Sequence, residues 1–370
     1  MKDYFINSPS NKLPNNLTHG ILQKSEAIDY HKTLPNYKPT PLVSLNNLAE
    51  KHGVNNIFVK DESHRFGLNA FKGMGASYAV HKLLEEKPEI KTFATATDGN
   101  HGRAVAWAAG LAGKGSVIFV PKDTTQNRIK AIADQGAEVI QLDKNYDDTC
   151  KHAEEQSNLN GWELIQDTAW EGYEKIPAYI MAGYLTHFVE LEEQLHILPA
   201  PKIDLVFLQA GVGSWAAAGI WYYLNRYKEN RPKIVIVEPY ESDGILTSFL
   251  SGQRTTASGN QETIMAGLNC GIPSLTGWEI IKSGADAAIK VEDKYTEMAI
   301  RELFYAEPGD EKIIAGESGA GGMAGFLALQ EPRFEEVRKH LQIDQNSNIL
   351  FFSTEGATDI DSFKNIVADI

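Results

Sequence analysis

From residue 56 onward, short apolar runs rich in β-branched and aromatic residues alternate with longer stretches whose apolar positions recur at helical spacing. The short runs at 57–60, 92–96, 116–120, 137–141, 163–166, 205–209, 233–238 and 348–353 are predicted strands. Segments 102–112, 126–135, 146–158, 177–194 and 216–227 are predicted helices. Parallel strands need crossover connections long enough to hold a helix, so this alternation predicts an α/β fold, a parallel-rich sheet covered by helices. Several polar, glycine-bearing segments directly follow predicted strands, where doubly wound sheets hold their ligands.

The stretch 205–224 contains no charged residue and is nominally long enough to cross a bilayer. Gly211, Gly213 and Gly219 interrupt it, so a buried strand, a turn and a helix describe it better. A chain of 370 residues favours two domains, and the Leu-Pro-Ala-Pro-Lys segment at 198–202 reads as a linker. The polar stretch 252–261 reads as an exposed loop. A formal charge of -14 argues against nucleic acid, which needs clustered Lys and Arg, and favours small-molecule chemistry. Cys150 and Cys270 supply neither a disulfide framework nor Cys-x-x-Cys spacing, so a cytoplasmic setting and no metal site are expected. Residues 1–15 lack the apolar core of a secretory signal, and no export is expected.

Three segments carry candidate chemistry. After the first predicted strand comes a polar loop, Asp61-Glu62-Ser63-His64-Arg65, and then Asn69-Ala70-Phe71-Lys72-Gly73, with the lysine opening a helix. A lysine in a partly dehydrated site has a lowered pKa, and only the neutral amine attacks an aldehyde; a solvated surface lysine does neither. The second segment, Ala210-Gly211-Val212-Gly213-Ser214-Trp215-Ala216, is a glycine turn between strand and helix that offers N–H groups to an anion. With Glu238 ending the next strand it also reads as a dinucleotide fingerprint, and a merely structural turn is a third option. In the third, Ala96-Thr97-Asp98-Gly99-Asn100-His101-Gly102, Thr97 or Asp98 is placed to cap a helix, which leaves the rest of the run unexplained.

In this order the three segments resemble the fold type II family of pyridoxal-phosphate enzymes, which includes serine and threonine dehydratases and threonine synthase. The resemblance spans nearly the whole chain. Members show a Ser-Phe-Lys motif, a Ser-Gly-Asn-His-Gly-like loop, a glycine-rich phosphate loop and a late Ser or Thr beside the pyridine nitrogen. Here these become Ala70-Phe71-Lys72, Asp98-Gly99-Asn100-His101-Gly102, Gly211-Val212-Gly213 and Ser353-Thr354-Glu355-Gly356, while Glu317-Ser318-Gly319-Ala320 resembles a dehydratase segment. Ala70, Met74 and Asp98 depart from the usual serine, arginine and serine. Together with Gln166-Asp167-Thr168-Ala169-Trp170-Glu171-Gly172-Tyr173 and Ile264-Met265-Ala266-Gly267-Leu268, these departures look like the diaminopropionate ammonia-lyase branch.

The resemblance implies a two-lobed fold type II architecture, with a large cofactor-binding domain from 1–93 plus 198–370 and a small inserted α/β domain at 94–197. It implies that Lys72 holds pyridoxal 5'-phosphate as a Schiff base and, once displaced by the substrate, stands as a base beside the α-carbon. It gives Asn100 to the cofactor's ring oxygen, Gly211, Val212, Gly213 and Ser214 to its phosphate, and Ser353 or Thr354 to its pyridine nitrogen. Asp98 and Asp167 are the expected handlers of the second amine, since a β-ammonium seeks a carboxylate that hydroxyl-eliminating relatives do not need. In the branch, the residue matching Asp98 is implicated as the base for the D isomer; the plainer role of both aspartates is helix capping. His101 has the weaker case, as a hydrogen-bonded spacer. The implied reaction converts 2,3-diaminopropionate, D or L, to pyruvate and two ammonia, in a homodimer. A dehydratase acting on serine or threonine, a nicotinamide-dependent oxidoreductase and a silent amino-acid sensor are the rivals.

Overall fold

The computed structural model describes residues 2–97, 99–197 and 202–368. Two sheets organise the chain. The larger takes β1 (Tyr4–Ile6), β2 (Leu42–Ser44), β3 (Asn56–Asp61), β8 (Leu205–Gln209), β9 (Lys233–Pro239), β10 (Ala287–Val291) and β11 (Asn348–Ser353), in the order β1-β10-β9-β8-β11-β3-β2. The smaller takes β4 (Thr92–Ala96), β5 (Gly115–Val120), β6 (Glu138–Gln141) and β7 (Glu163–Leu164), in the order β6-β5-β4-β7. Among the described strands, only the edge strands β1 and β2 run antiparallel to their neighbours. Every residue of β8 and β11 is buried, as expected for central parallel strands covered on both faces, and this is why they read as unbroken apolar runs.

The predicted strands at 92–96, 205–209 and 348–353 match β4, β8 and β11 end to end. β7 stops at Leu164, two residues short of its prediction, because the Gln166 side chain turns back to bond Thr95 and Ala96. The stretch 205–224 resolves into β8, the glycine turn and the helix Ser214–Tyr227, and no helix among the described residues is long and apolar enough to cross a membrane. Of the proposed linker at 198–202, residues 198–201 lie outside the described residues.

The polar segment after β3 is not an exposed loop. Residues Glu62–Gly67 form a short 3-10 turn in which Glu62 and Arg65 are fully buried, as is Lys60 at the end of β3. Arg65 reaches Glu62 at 2.8 Å and Glu190 at 2.7 Å, while Lys60 reaches Glu190 at 3.0 Å. Each buried charge is thus paired, which alone makes such burial tolerable. Burial works to raise the Glu190 carboxyl, and Arg65 and Lys60 overcome it and hold the group below its ordinary range.

Glu190 belongs to the helix Lys175–Ile197, which packs on the helices Lys72–Glu86 and Ser214–Tyr227. Its contact with Lys72–Glu86 is unusually close. A Cβ on Gly183 would run into the backbone of Met74 and Gly75, and one on Gly75 would stand 2.5 Å from the Tyr184 ring. Because Lys72 is the first residue of its helix, this packing fixes where the amine is presented.

Candidate active site

The carboxyl ends of β4, β8 and β11 open on one cleft between the two sheets, with about 790 Å³ of empty space including its mouth. Lys72, Asn100, His101, Asp167, the turn Gly211–Ser214 and Thr354 all line it. Segments far apart in sequence are pinned together here by backbone bonds. Ala70 bridges Glu355, Phe71 N–H donates to the Thr354 carbonyl at 3.1 Å, and Gly356 N–H donates to the Asn69 carbonyl at 2.9 Å. The Phe71 ring is buried against Tyr184 and Trp215, with centroids 4.9 and 5.5 Å away, so the residue before Lys72 is an anchor.

Lys72 Nζ donates to Asp167 Oδ2 at 2.5 Å. Burial alone pushes the Lys72 ammonium down, but the adjacent Asp167 carboxylate overrides it, and the pKa is raised above the ordinary lysine value. This corrects the expectation of a lowered pKa from dehydration, which took no account of a partner 95 residues away. Burial likewise works to raise Asp167, and the Lys72 ammonium brings it down to about 2. His101 Nε2 lies 2.9 Å from the Ile165 carbonyl, which only accepts, so Nε2 carries the proton. Nδ1 then keeps its lone pair, 3.8 Å from Asp167 Oδ2, and has no hydrogen-bond partner among the described residues.

Opposite Lys72, Gly213 caps the helix Ser214–Tyr227 with φ +85, a conformation that favours glycine. A Cβ on Gly211 would stand 3.0 Å from both Cys270 Sγ and Leu268 Cα, so this turn too leaves no room for a side chain. The Val212 carbonyl accepts from Ser274 N–H at 2.7 Å, whereas the N–H groups of Gly211, Val212, Gly213 and Ser214 meet no protein acceptor among the described residues. Unpaired N–H groups at the start of a four-turn helix make an anion cradle. The Ser214 hydroxyl is committed elsewhere, donating to the Asp167 carbonyl at 2.6 Å, so the residue offers its N–H alone.

A dinucleotide reading of this turn fails on Glu238. That side chain is fully buried and accepts from the N–H groups of Ile245 and Leu246 at 2.8 and 2.7 Å, so it faces a helix start and no ribose.

Thr354 lines the cleft, its hydroxyl accepting from Gln209 Nε2 at 3.1 Å. Ser353 is buried behind it, its hydroxyl 3.4 Å from the Glu355 carbonyl, and does not line the cleft. Asn100 Nδ2 donates to Glu355 Oε2, and Glu355 Oε1 accepts from Ser318 N–H at 3.1 Å. Asp98 lies outside the described residues. Glu355, Ser318 and Gln209 are cleft residues that sequence reasoning did not single out. The first two sit inside quoted motif blocks, and Gln209 could have been noticed as the one polar residue closing an apolar strand.

The donor set suits pyridoxal phosphate: an amine at one end for an aldehyde, an N–H cradle at the other for a phosphate monoester, and a hydroxyl and an amide between them. A family model described as "Pyridoxal-phosphate dependent enzyme" matches residues 33–350. The chain is similar to the diaminopropionate ammonia-lyase of Escherichia coli (strain K12), at 40% identity over 98% of this chain and 96% of the relative. It superposes on the crystal structure of diaminopropionate ammonia lyase from Escherichia coli in complex with an aminoacrylate-PLP azomethine reaction intermediate, with a TM-score of 0.91 and 40% identity, covering 99% of this chain and 96% of that one. The same relative in complex with D-serine superposes with a TM-score of 0.91 and 38% identity, at the same coverage.

Proposed function

The chain belongs to the pyridoxal-phosphate-dependent enzyme family, and from that premise we propose that its cleft works on an amino acid carrying two amines through Lys72, Asp98 and Asp167. The activity is that of a diaminopropionate ammonia-lyase, a pyridoxal-phosphate-dependent elimination. In the finer proposal both D and L isomers are substrates, and the products are pyruvate and two ammonia. The observation that carries the reading is the Lys72–Asp167 pair facing the glycine cradle across one cleft.

Bound pyridoxal phosphate supplies an electron sink that makes the substrate α-hydrogen acidic. Lys72 holds the aldehyde end, and the N–H groups of Gly211, Val212, Gly213 and Ser214 hold the phosphate. Asn100 is assigned to the ring oxygen. Thr354, in preference to Ser353, is assigned to the pyridine nitrogen, because its hydroxyl lines the cleft. Asp167 is a buried carboxylate that needs a cation beside it, the place Lys72 fills here. A substrate β-ammonium replaces that charge, and the nitrogen stays protonated until the C–N bond breaks and it leaves as neutral ammonia. A hydroxyl brings no such charge, and this favours an amine over serine.

Lys72, released by the substrate, takes the α-proton from one face. Asp98, sequence neighbour of the cleft residue Thr97, is assigned the proton of the D isomer on the other. The inserted domain at 94–197 is part of the same reading, supported by a second sheet whose strands run from Thr92 to Leu164. So are a homodimer, on the family resemblance, and a cytoplasmic setting, on a cysteine count too small for a disulfide framework. Visible spectra of the purified protein before and after adding diaminopropionate, with pyruvate measured in parallel, test the function. A cofactor band that diaminopropionate leaves unchanged, with no pyruvate formed, would refute it.

A further inference from the structure

A second pocket, with about 440 Å³ of empty space, adjoins the cleft and shares Asn100, Gly267 and Glu355 with it. Arg103 and Arg128 also line it. Most arginines of this acidic chain have settled on an acceptor: Arg65, Arg226, Arg231, Arg301 and Arg333 each hold a carboxylate. Arg103 and Arg128 form no ion pair among the described residues.

Arg103 makes one hydrogen bond, from Nη1 to the Leu68 carbonyl at 3.0 Å, and its Nε is buried with no partner among the described residues. Asp134 is near enough to be felt, but its carboxylate is held by Lys130 at 2.7 Å. Burial pulls the guanidinium pKa down against the opposing pull of Asp134. The stem of Arg128 passes Gly99, whose added Cβ would be 3.9 Å from Arg128 Cδ. The same lining includes the Glu355 carboxylate and the Thr358 hydroxyl, 3.4 Å apart.

Two guanidinium groups and one carboxylate in a single lining match a zwitterion better than a simple anion, since Glu355 would repel the latter. We infer that the Arg103–Arg128 pocket is a second binding site for a free α-amino acid, taking its carboxylate on the arginines and its ammonium on Glu355, at the edge of the reaction cleft. The ligand class rests on the proposed function; the site itself rests on two lining guanidinium groups that hold no carboxylate among the described residues. A molecule held there waits beside the cleft while another is processed.

Titration calorimetry tests this on holoenzyme in which borohydride has fixed the cofactor, so that the cleft no longer exchanges amines. Wild type is expected to take up one 2,3-diaminopropionate per chain. Loss of one charge-assisted partner weakens binding by about tenfold or more, so Arg128→Gln should show that loss and Arg128→Glu should abolish uptake. Ethylenediamine, which has both amines and no carboxylate, should not bind, and pyruvate, which has no amine, should bind more weakly than diaminopropionate. No uptake by wild type, unchanged affinity in Arg128→Gln, or ethylenediamine or pyruvate binding as tightly as diaminopropionate overturns the inference. Turnover by the unreduced enzyme separates the two readings: turnover without second-site uptake sinks this inference alone, and uptake without turnover counts against the proposed function alone.

Discussion

Replacing Asp167 by asparagine keeps the shape of the side chain and removes the one carboxylate that holds Lys72 above its ordinary pKa. Removing one member of a buried pair costs about 3–5 kcal/mol, and at about 1.36 kcal/mol per unit this is a fall of about two to four pKa units for the amine left behind. Burial, the largest influence on Lys72, would then meet the smaller raising influences of Tyr184 and Cys270 and carry the amine pKa down. Each unit is tenfold in neutral amine, the only form that attacks an aldehyde. The variant should therefore capture pyridoxal phosphate faster than wild type near neutral pH, while its turnover of diaminopropionate falls because the β-ammonium has lost its carboxylate. The assay is the rate at which apoenzyme gains visible absorbance on adding cofactor, followed between about pH 6 and 10, the span over which a lowered lysine would titrate. Wild-type rates should still be climbing at the top of that range, whereas the Asp167→Asn profile should be displaced to lower pH by about two to four units. Coincident pH profiles would show that Asp167 does not control the amine.

Lys72→Ala should lose the visible cofactor band and nearly all turnover; peptide mapping after borohydride reduction of wild type that finds cofactor on another lysine defeats the assignment. Asp98→Asn should strip activity toward D-diaminopropionate far more than toward the L isomer, with the cofactor spectrum kept, and steady-state kinetics showing equal losses would reduce Asp98 to a general contact. Gly183→Ala should destabilise the fold by about 1–3 kcal/mol, the usual cost of overpacking, and loosen cofactor retention by moving the start of the Lys72 helix; unchanged unfolding and absorbance would count against that positioning role. His31 is fully buried, and burial, opposed by a bond to the Met74 carbonyl, lowers its pKa from 6.5 to about 3. The native state thus refuses a proton that the unfolded chain accepts, so this contribution is intact above about pH 6.5 and lost toward pH 3, at up to about 1.4 kcal/mol per pH unit. Urea midpoints at two pH values below 6.5 should show a shallower slope for His31→Gln, and identical slopes would rule the contribution out.

The one-dimensional pattern was enough for whatever depends on local periodicity or on a contiguous motif. β8 and β11 were legible because central parallel strands are apolar through their middle, β4 because it is a short β-branched and aromatic run, and the cleft was legible because its motifs stand at the ends of those strands. The strands at the sheet margin were not. β1 and β2 have three residues each, too few to show a period, and β10, Ala-Ala-Ile-Lys-Val, is a strand by virtue of pairing with β9. Charge was harder still to read. Lys60-Asp61-Glu62-Ser63-His64-Arg65 has the composition of a solvated loop, yet Lys60, Glu62 and Arg65 are sealed in the interior by Glu190, more than a hundred residues on. The same holds in the cleft, where Asp167 reverses the sign expected for Lys72, Glu238 turns from ribose to helix, and Thr354 is presented while Ser353 is hidden. A side chain's chemistry is written in the sequence, but its ionisation is set by the free energy of its surroundings, and those surroundings are assembled from residues that only the tertiary fold brings within bonding distance.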